Sequence, residues 1–125
     1  MNSSTKIIDA QEDTPRVNLE KGNSKNIIKI EGISMPENAF EFYDNLMNEF
    51  TSFFTVLENI ELHIKLEYMN SMSNKQLLKF VAFCFEKDSS LIVYWNYEKM
   101  DELMKIKGEE IVEIYPKINI LLQEY

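Results

Sequence analysis

Apolar and polar residues alternate without a break along one segment, Ile60-Glu61-Leu62-His63-Ile64-Lys65-Leu66-Glu67-Tyr68. Successive side chains of a strand point to opposite faces of a sheet, so the segment predicts a strand with one solvated face. The buried face would carry Ile60, Leu62, Ile64, Leu66 and Tyr68. A parallel strand covered by helices on both faces would be apolar throughout. The segment therefore predicts a sheet with helices on one face only.

The sequence before this strand predicts a β-meander followed by a helix. Short apolar pieces at 7–8 and 17–19 precede a strand pattern at 26–31, and Gly22-Asn23-Ser24 marks a turn. A helix would begin near Pro36, with Ser34 and Glu37 forming a capping box. Large apolar residues then recur three or four positions apart, which predicts an amphipathic helix. Its buried stripe would contain Phe40, Tyr43, Met47, Phe50 and Phe54.

The sequence after the strand predicts two further helix-strand units. A helix at about 73–87 precedes a strand at 91–97, and a helix at about 101–115 ends before Pro116 and a strand at 118–122. Right-handed crossovers would place all three helices on one face of a mixed sheet. We therefore expect a two-layer α/β fold. The third helix would pack through Leu103, Met104, Ile111 and Tyr115.

Length and charge limit the class of protein. With 125 residues, 45% of them hydrophobic, the chain predicts a single domain over residues 1–125, with residues 1–5 flexible. The formal net charge of -8 opposes binding to nucleic acid and to anionic membranes. The polar start of the chain does not resemble a secretory signal, and no apolar run reaches the roughly 20 residues that span a bilayer. We expect a cytoplasmic protein without membrane insertion.

The residues that usually carry catalysis are scarce. The chain has one cysteine, Cys84, in an apolar run, one histidine, His63, on the polar side of a strand, and only 3 glycines. We therefore expect no enzyme activity, no catalytic residues, no metal site and no cofactor. A hydrolase that uses acidic residues and a divalent cation is an alternative, although acidic helix faces are commonly just solvated. The acidic residues concerned are Asp101, Glu102, Glu109 and Glu110.

The loop between the alternating strand and the second helix has two interpretations. A phosphate on Ser71 would lie where free backbone amides and the positive end of the helix dipole converge. Alternatively, Ser73 and Gln76 form a capping box, and Asn70 and Ser71 only make the turn. The pattern alone favours capping. The two are compatible, since Ser73 can cap the helix while Ser71 faces outward.

Four stretches, taken together, resemble the SiaC family of bacterial biofilm-regulating phosphoproteins. The resemblance extends from about residue 7 to the end of the chain, and the stretches occur in the order of the family. They are Glu12-Asp13-Thr14-Pro15, Glu31-Gly32-Ile33-Ser34-Met35-Pro36-Glu37-Asn38, Leu66-Glu67-Tyr68-Met69-Asn70-Ser71 and Val93-Tyr94-Trp95-Asn96-Tyr97-Glu98.

This resemblance implies a STAS-like fold, the fold of anti-sigma-factor antagonists, and a phosphorylation-controlled partner switch. A serine/threonine kinase and a metal-dependent phosphatase would set the phosphorylation state. The dephosphorylated form would bind and activate a diguanylate cyclase, so controlling cyclic-di-GMP signalling and biofilm formation. The phosphorylated residue would be Ser71, where the family usually has threonine, with Ser73 as a secondary candidate.

The corresponding hypothesis is that partners dock on the surface around this loop and the start of the second helix, to which the solvated face of the sheet could also contribute. Met72 departs from the family pattern, in which small hydroxylated residues usually follow the acceptor. A non-switching protein-interaction or small-ligand-binding domain is the alternative to the switch. The partner-binding set would be Asn70, Ser71, Met72, Ser73, Asn74 and Lys75.

Overall fold

Six strands and three helices make up residues 4–125, the part of the chain that this computed structural model describes. The flexible segment expected at residues 1–5 lies partly outside the described residues, and Ser4 and Thr5 belong to the first strand. In chain order the elements are β1 (Ser4–Ile8), β2 (Arg16–Lys21), β3 (Asn26–Ser34), α1 (Ala39–Phe53), β4 (Ile60–Met69), α2 (Ser71–Lys87), β5 (Ile92–Tyr97), α3 (Glu102–Ile114) and β6 (Asn119–Glu124).

The strands form one mixed sheet in the order β1-β2-β3-β4-β5-β6. Strands β1, β2 and β3 are antiparallel, as the predicted meander requires, whereas β3, β4, β5 and β6 are parallel. The three crossovers all step in the same direction, so right-handed connections place the three helices on one face. The predicted two-layer α/β fold is confirmed. None of the helices within residues 4–125 is long and apolar enough to cross a bilayer.

Strand β4 lies at the centre of the core. Four of its apolar side chains are almost completely inaccessible to solvent, namely Ile60, Leu62, Ile64 and Leu66. On the other face of the strand, Lys65 and Glu67 are exposed. The strand and its solvated face agree with the alternation in the sequence.

The prediction that Tyr68 is buried is wrong, because the pairing of β3 with β4 shifts by one residue. Gly32 pairs with Leu66 and the next residue, Ile33, pairs with Tyr68, so Glu67 is an extra residue in β4. A one-residue shift moves the following side chains to the opposite face. Tyr68 is accordingly 48% exposed, and Met69 is buried in its place.

The predicted starts of the first two helices also require correction. Asn38, not Ser34, caps α1, because its side chain accepts the amide of Glu41. Ser34 is instead the last residue of β3. Asn70, not Ser73, caps α2, which therefore starts at Ser71. In both cases the asparagine immediately before the helix accepts the backbone amide three residues further along the chain.

Two apolar residues predicted to pack against the sheet are exposed. Phe40 in the first turn of α1 is 59% exposed, and Leu103 in the first turn of α3 is 61% exposed. Other residues of each helix pack against the rest of the protein. The buried residues are Ala39, Tyr43, Leu46 and Phe50 in α1 and Met104, Gly108 and Ile111 in α3.

Helix α3 approaches the sheet most closely at Gly108. A Cβ atom at this position would lie 2.4 Å from Cδ1 of Trp95 and 2.8 Å from Cδ2 of Leu122. Trp95 has little freedom to move, because it is fully buried and its Nε1 donates a hydrogen bond to the carbonyl of Met104 at 2.9 Å. The absence of a side chain at 108 therefore sets the distance between α3 and the sheet.

Gly108→Ala is expected to destabilise the protein, although alanine is the better helix former. The gain in helix propensity is about 1 kcal/mol, whereas overpacking a core typically costs about 1–3 kcal/mol. Because the overlap with the buried Trp95 places the cost near the upper end of that range, we expect a net loss of about 2 kcal/mol in the free energy of unfolding, measured by urea denaturation. The exposed neighbour provides the control: Glu109→Ala should change stability by less than about 0.5 kcal/mol. A Gly108→Ala variant as stable as this control would contradict the packing argument.

Candidate functional site

The junction between β4 and α2 holds Ser71 at the edge of the sheet where the parallel strands end. The backbone N–H of Asn70 donates to the carbonyl of Ser34 at 3.1 Å, which ties the junction to the end of β3. The side-chain oxygen of Asn70 accepts the amide of Ser73 at 2.8 Å, and its carbonyl accepts the amide of Asn74 at 3.0 Å. Asn70 thus connects the strand below the site with the helix that starts there.

The predicted partner-binding residues differ sharply in exposure. Ser71, Met72 and Lys75 are exposed, and Asn70 and Asn74 are half-buried. Ser73 is fully buried, and its hydroxyl has no hydrogen-bond partner within residues 4–125. The structure therefore brings five of the six residues to the surface and places the sixth in the interior.

The amino end of α2 is electrostatically suited to a negative charge. Because Asn70 engages the amides of Ser73 and Asn74, the amides of Ser71 and Met72 are the ones at the open end of the helix. The helix dipole adds a partial positive charge at this end. Lys75 lies one turn beyond Ser71 on the same side of the helix and is also exposed.

Large apolar side chains are exposed on the segments that meet at the junction of Ser71. They come from the ends of β3 and β4 and from the first turns of α1 and α2, which all meet at this edge of the sheet. We call these four residues the Ser71 surface: Met35, Phe40, Tyr68 and Met72. Clusters of exposed apolar groups typically mark interaction sites. The sequence did not reveal that Phe40 and Tyr68 are exposed, because both fit the periodicity of a buried position. The one residue that could have indicated it is Gly32, which precedes the register shift opposite Tyr68.

A buried hydrogen bond supports the junction from below. The hydroxyls of Ser34 and Tyr43 lie 2.7 Å apart, and both residues are fully buried. Burial raises the pKa of Tyr43 to about 12, although the hydrogen bond with Ser34 acts in the opposite direction. Since the Ser34 carbonyl accepts the Asn70 amide, one residue links α1, the end of β3 and the start of α2.

The lone histidine has a carboxylate partner that the sequence did not reveal. Nε2 of His63 lies 3.1 Å from Oε1 of Glu61, and its ring stacks on Tyr94 with centroids 4.5 Å apart. Lys25 donates to the other oxygen of Glu61 at 3.1 Å. Burial tends to raise the pKa of Glu61, but the contacts with His63 and Lys25 lower it below its usual value. These groups pair with one another on the helix-free face of the sheet.

The remaining candidates for catalysis are dispersed. Asp101 caps α3 by accepting the amide of Met104 at 3.0 Å, whereas Glu109 and Glu110 are exposed. In the part of the chain from residue 4 to 125, no group of three or more His, Cys, Asp and Glu side chains could hold a metal ion. Cys84 is buried, and burial raises the pKa of its thiol well above the usual range. A buried thiol of this kind is a poor nucleophile.

Comparison with known families gives a match over most of the chain. The family model described as SiaC family regulatory phosphoprotein matches residues 8–125. No curated protein sequence matches the chain.

Three solved structures from Pseudomonas aeruginosa are similar to this one. The crystal structure of diguanylate cyclase SiaD in complex with its activator SiaC matches with a TM-score of 0.76 and 21% identity, covering 95% of this chain and 98% of that chain. SiaC matches with a TM-score of 0.75 and 20% identity over 98% and 99% of the two chains. Apo-SiaC matches with a TM-score of 0.72 and 20% identity over 96% and 98%. The fold is therefore shared with these structures.

Tyr43→Phe is expected to lower the free energy of unfolding by about 1–2 kcal/mol at pH 7, because it leaves the buried Ser34 hydroxyl without a partner. The difference from the unmodified protein should narrow at alkaline pH. A tyrosine that ionises near pH 10 when unfolded, and at about 12 when folded, stabilises fully below pH 10 and progressively less as the pH rises to 12.

Urea denaturation between pH 7 and 11 measures this effect. Tyr68→Phe is the control, because Tyr68 is half exposed and its replacement leaves no buried hydroxyl without a partner. A Tyr43→Phe variant whose deficit in stability stays constant up to pH 11 would contradict the role assigned to this buried hydroxyl.

Proposed function

The chain belongs to the SiaC family of regulatory phosphoproteins, and from this we propose that it is a partner-switching regulator controlled by phosphorylation of Ser71. In this proposal the unphosphorylated form binds and activates a diguanylate cyclase, which raises cyclic-di-GMP and promotes biofilm formation. A serine/threonine kinase and a metal-dependent phosphatase set the state of Ser71. The protein acts by binding and not by catalysis, in the cytoplasm, where ATP for the kinase is available.

The observation that carries the proposal is the position of Ser71. It is exposed, it is the first residue of α2, and it lies at the junction whose adjoining segments carry the Ser71 surface. A similar fold occurs in the complex of diguanylate cyclase SiaD with its activator SiaC, which supports a cyclase as the class of partner. No other hydroxyl-bearing residue of the predicted partner-binding set is exposed in this way.

The two candidate serines are unequal as phosphoryl acceptors. The hydroxyl of Ser71 belongs to an exposed residue, whereas Ser73 is fully buried beneath the first turn of α2. A kinase would reach Ser73 only after local unfolding of this turn. Because Asn70 already caps the helix, neither serine is needed for capping. These observations favour Ser71.

A phosphate on Ser71 would be tolerated by the folded protein. It adds a charge of about -1.5 to -2 near the open end of α2, where the helix dipole and Lys75 offset part of that charge. No large rearrangement of the fold is needed to accommodate it.

The same phosphate would oppose a partner that packs on the Ser71 surface. An apolar contact with Met72 or Phe40 would remove water from the phosphate beside them. Burying a charge without a compensating partner costs several kcal/mol, which corresponds to a hundredfold or larger loss of affinity. The switch would therefore act directly at the interface, by desolvation.

Ser71→Asp should weaken binding to the diguanylate cyclase and reduce its activation by about tenfold or more, whereas Ser71→Ala should retain both. Isothermal titration measures the affinity, and the rate of cyclic-di-GMP formation measures the activation. Ser89→Asp is the matched control, because it adds the same charge at an exposed serine beyond the other end of α2. Equal binding by the Ser71→Asp and Ser71→Ala variants would refute the switch.

Mass spectrometry of the protein from its native cells tests the modification itself. The peptide from Lys65 to Lys75 contains both serines. We expect phosphate on Ser71 that phosphatase treatment removes. A peptide that stays unmodified across growth conditions would favour the alternative, a binding domain without a switch.

A further inference from the structure

A groove runs along the outer side of α1, away from the centre of the sheet. Two cavities form it, one of about 790 Å³ and one of about 490 Å³. They are continuous, because both are lined by Thr14, Phe42 and Asn45. We call these two cavities the α1 groove. One wall is the loop at 9–14 between β1 and β2, and the end nearest α2 reaches Asn70 and Met72.

The floor of the α1 groove is apolar. Phe42 lies at its middle and packs edge-on against the buried Tyr43, with ring centroids 5.0 Å apart. Leu46 continues the floor toward β1, and Ala39 and the exposed Phe40 continue it toward α2. The groove therefore offers apolar contact along its length. Such a lining favours a ligand that has apolar groups over a hydrated ion.

The walls of the groove carry charges of one sign. Five carboxylates line it, and within residues 4–125 no lysine or arginine lines either cavity. One of them, Glu49, is paired with Lys6. The amino ends of α1 and α2 add roughly half a positive charge each, which is less than the four remaining carboxylates contribute. These four are Asp9, Asp13, Glu37 and Glu41.

We propose that the α1 groove binds a cationic segment of a partner protein, with the apolar side chains of that segment packed on Phe40 and Phe42. Charge complementarity selects the occupant, because an acidic or neutral apolar segment would leave the carboxylates desolvated and unpaired. A bare metal ion does not fit, since no group of three potential ligands could hold one in the described part of the chain. This docking site goes beyond the switch at Ser71.

The Ser71 surface and the α1 groove share Phe40 and Met72, but their partners would respond differently to charge at position 71. The groove ends at Asn70 and Met72, the two neighbours of Ser71. A negative charge on residue 71 would extend the acidic groove, and the basic side chains of a cationic segment would pair with it, whereas a partner that packs only apolar groups on Phe40 and Met72 would leave it desolvated. Failure of the switch and failure of the groove can thus be distinguished in one variant, Ser71→Asp.

A fluorescent peptide of about 14 residues, made of leucine and lysine in a helical pattern, is a suitable probe. Its counterpart made of leucine and glutamate has the same apolar content and the opposite charge. We expect the lysine peptide to bind the full chain and the glutamate peptide not to bind. Fluorescence anisotropy measures the affinity, and two-dimensional NMR of the labelled protein locates the site by shifts of the amides of Phe42 and Asn45.

The charge of the groove is tested with Glu37→Lys/Glu41→Lys. Both residues are exposed, and we expect the double variant to bind the lysine peptide about tenfold more weakly at low salt. Glu109→Lys/Glu110→Lys on α3 makes the same change in net charge and should leave the affinity within about twofold. Equal weakening by the two variants would show that only net charge matters and would overturn the proposal.

The apolar floor is tested with Phe40→Ser, for which Leu103→Ser on α3 is the control of similar exposure. We expect about fivefold weaker peptide binding for the first variant and no change for the second. Ser71→Asp should bind the peptide at least as tightly as the unmodified chain. The proposal would also be overturned if the peptide shifted the NMR signals of amides on the helix-free face of the sheet instead of those of α1. An unchanged affinity of the peptide for the Phe40→Ser variant would overturn it as well.

Discussion

The parallel pairing of β3 with β4 organises the whole sheet. It is the longest pairing in the sheet, running from Asn26 opposite Ile60 to Ser34 opposite Met69, and it joins the antiparallel meander to the parallel half. Because both strands end at the same edge, α1 and α2 start near each other. The hydrogen bond from the amide of Asn70 to the carbonyl of Ser34 fixes that junction. The Ser71 surface and the α1 groove both arise at this place.

The irregularity at Gly32 determines which side chains are exposed at this edge of the sheet. Gly32 has a φ of +111°, a conformation that other residues rarely adopt, and the register shifts immediately after it. The shift places Tyr68 outward and Met69 inward. A regular ladder would have buried Tyr68 and removed one exposed apolar group from the end of β4. A local backbone feature of β3 thus determines which side chain of β4 a partner can contact.

The helix-free face shows how a largely parallel sheet can remain uncovered on one side. Such sheets usually carry helices on both faces. Here the open face bears polar pairs, including Glu61 with Lys25 and His63, and Lys29 with Glu20 at 3.8 Å. Opposite charges on neighbouring strands stabilise a solvated sheet surface modestly. The lone histidine is part of this arrangement, through its contact with Glu61 and its stacking on Tyr94.

The type and order of the elements could be predicted from the sequence, because periodicities of 2 and 3.6 residues are local properties of the chain. The turn before Ser71 and the acidic composition were also evident from the sequence. The strand order, the caps at Asn38 and Asn70, and the exposure of Phe40 and Tyr68 became known only from the folded structure. Those depend on strand register and on packing between residues distant in sequence. Local patterns do not contain that information, so Phe40 and Tyr68 fitted a buried stripe until the register of β3 and β4 was known.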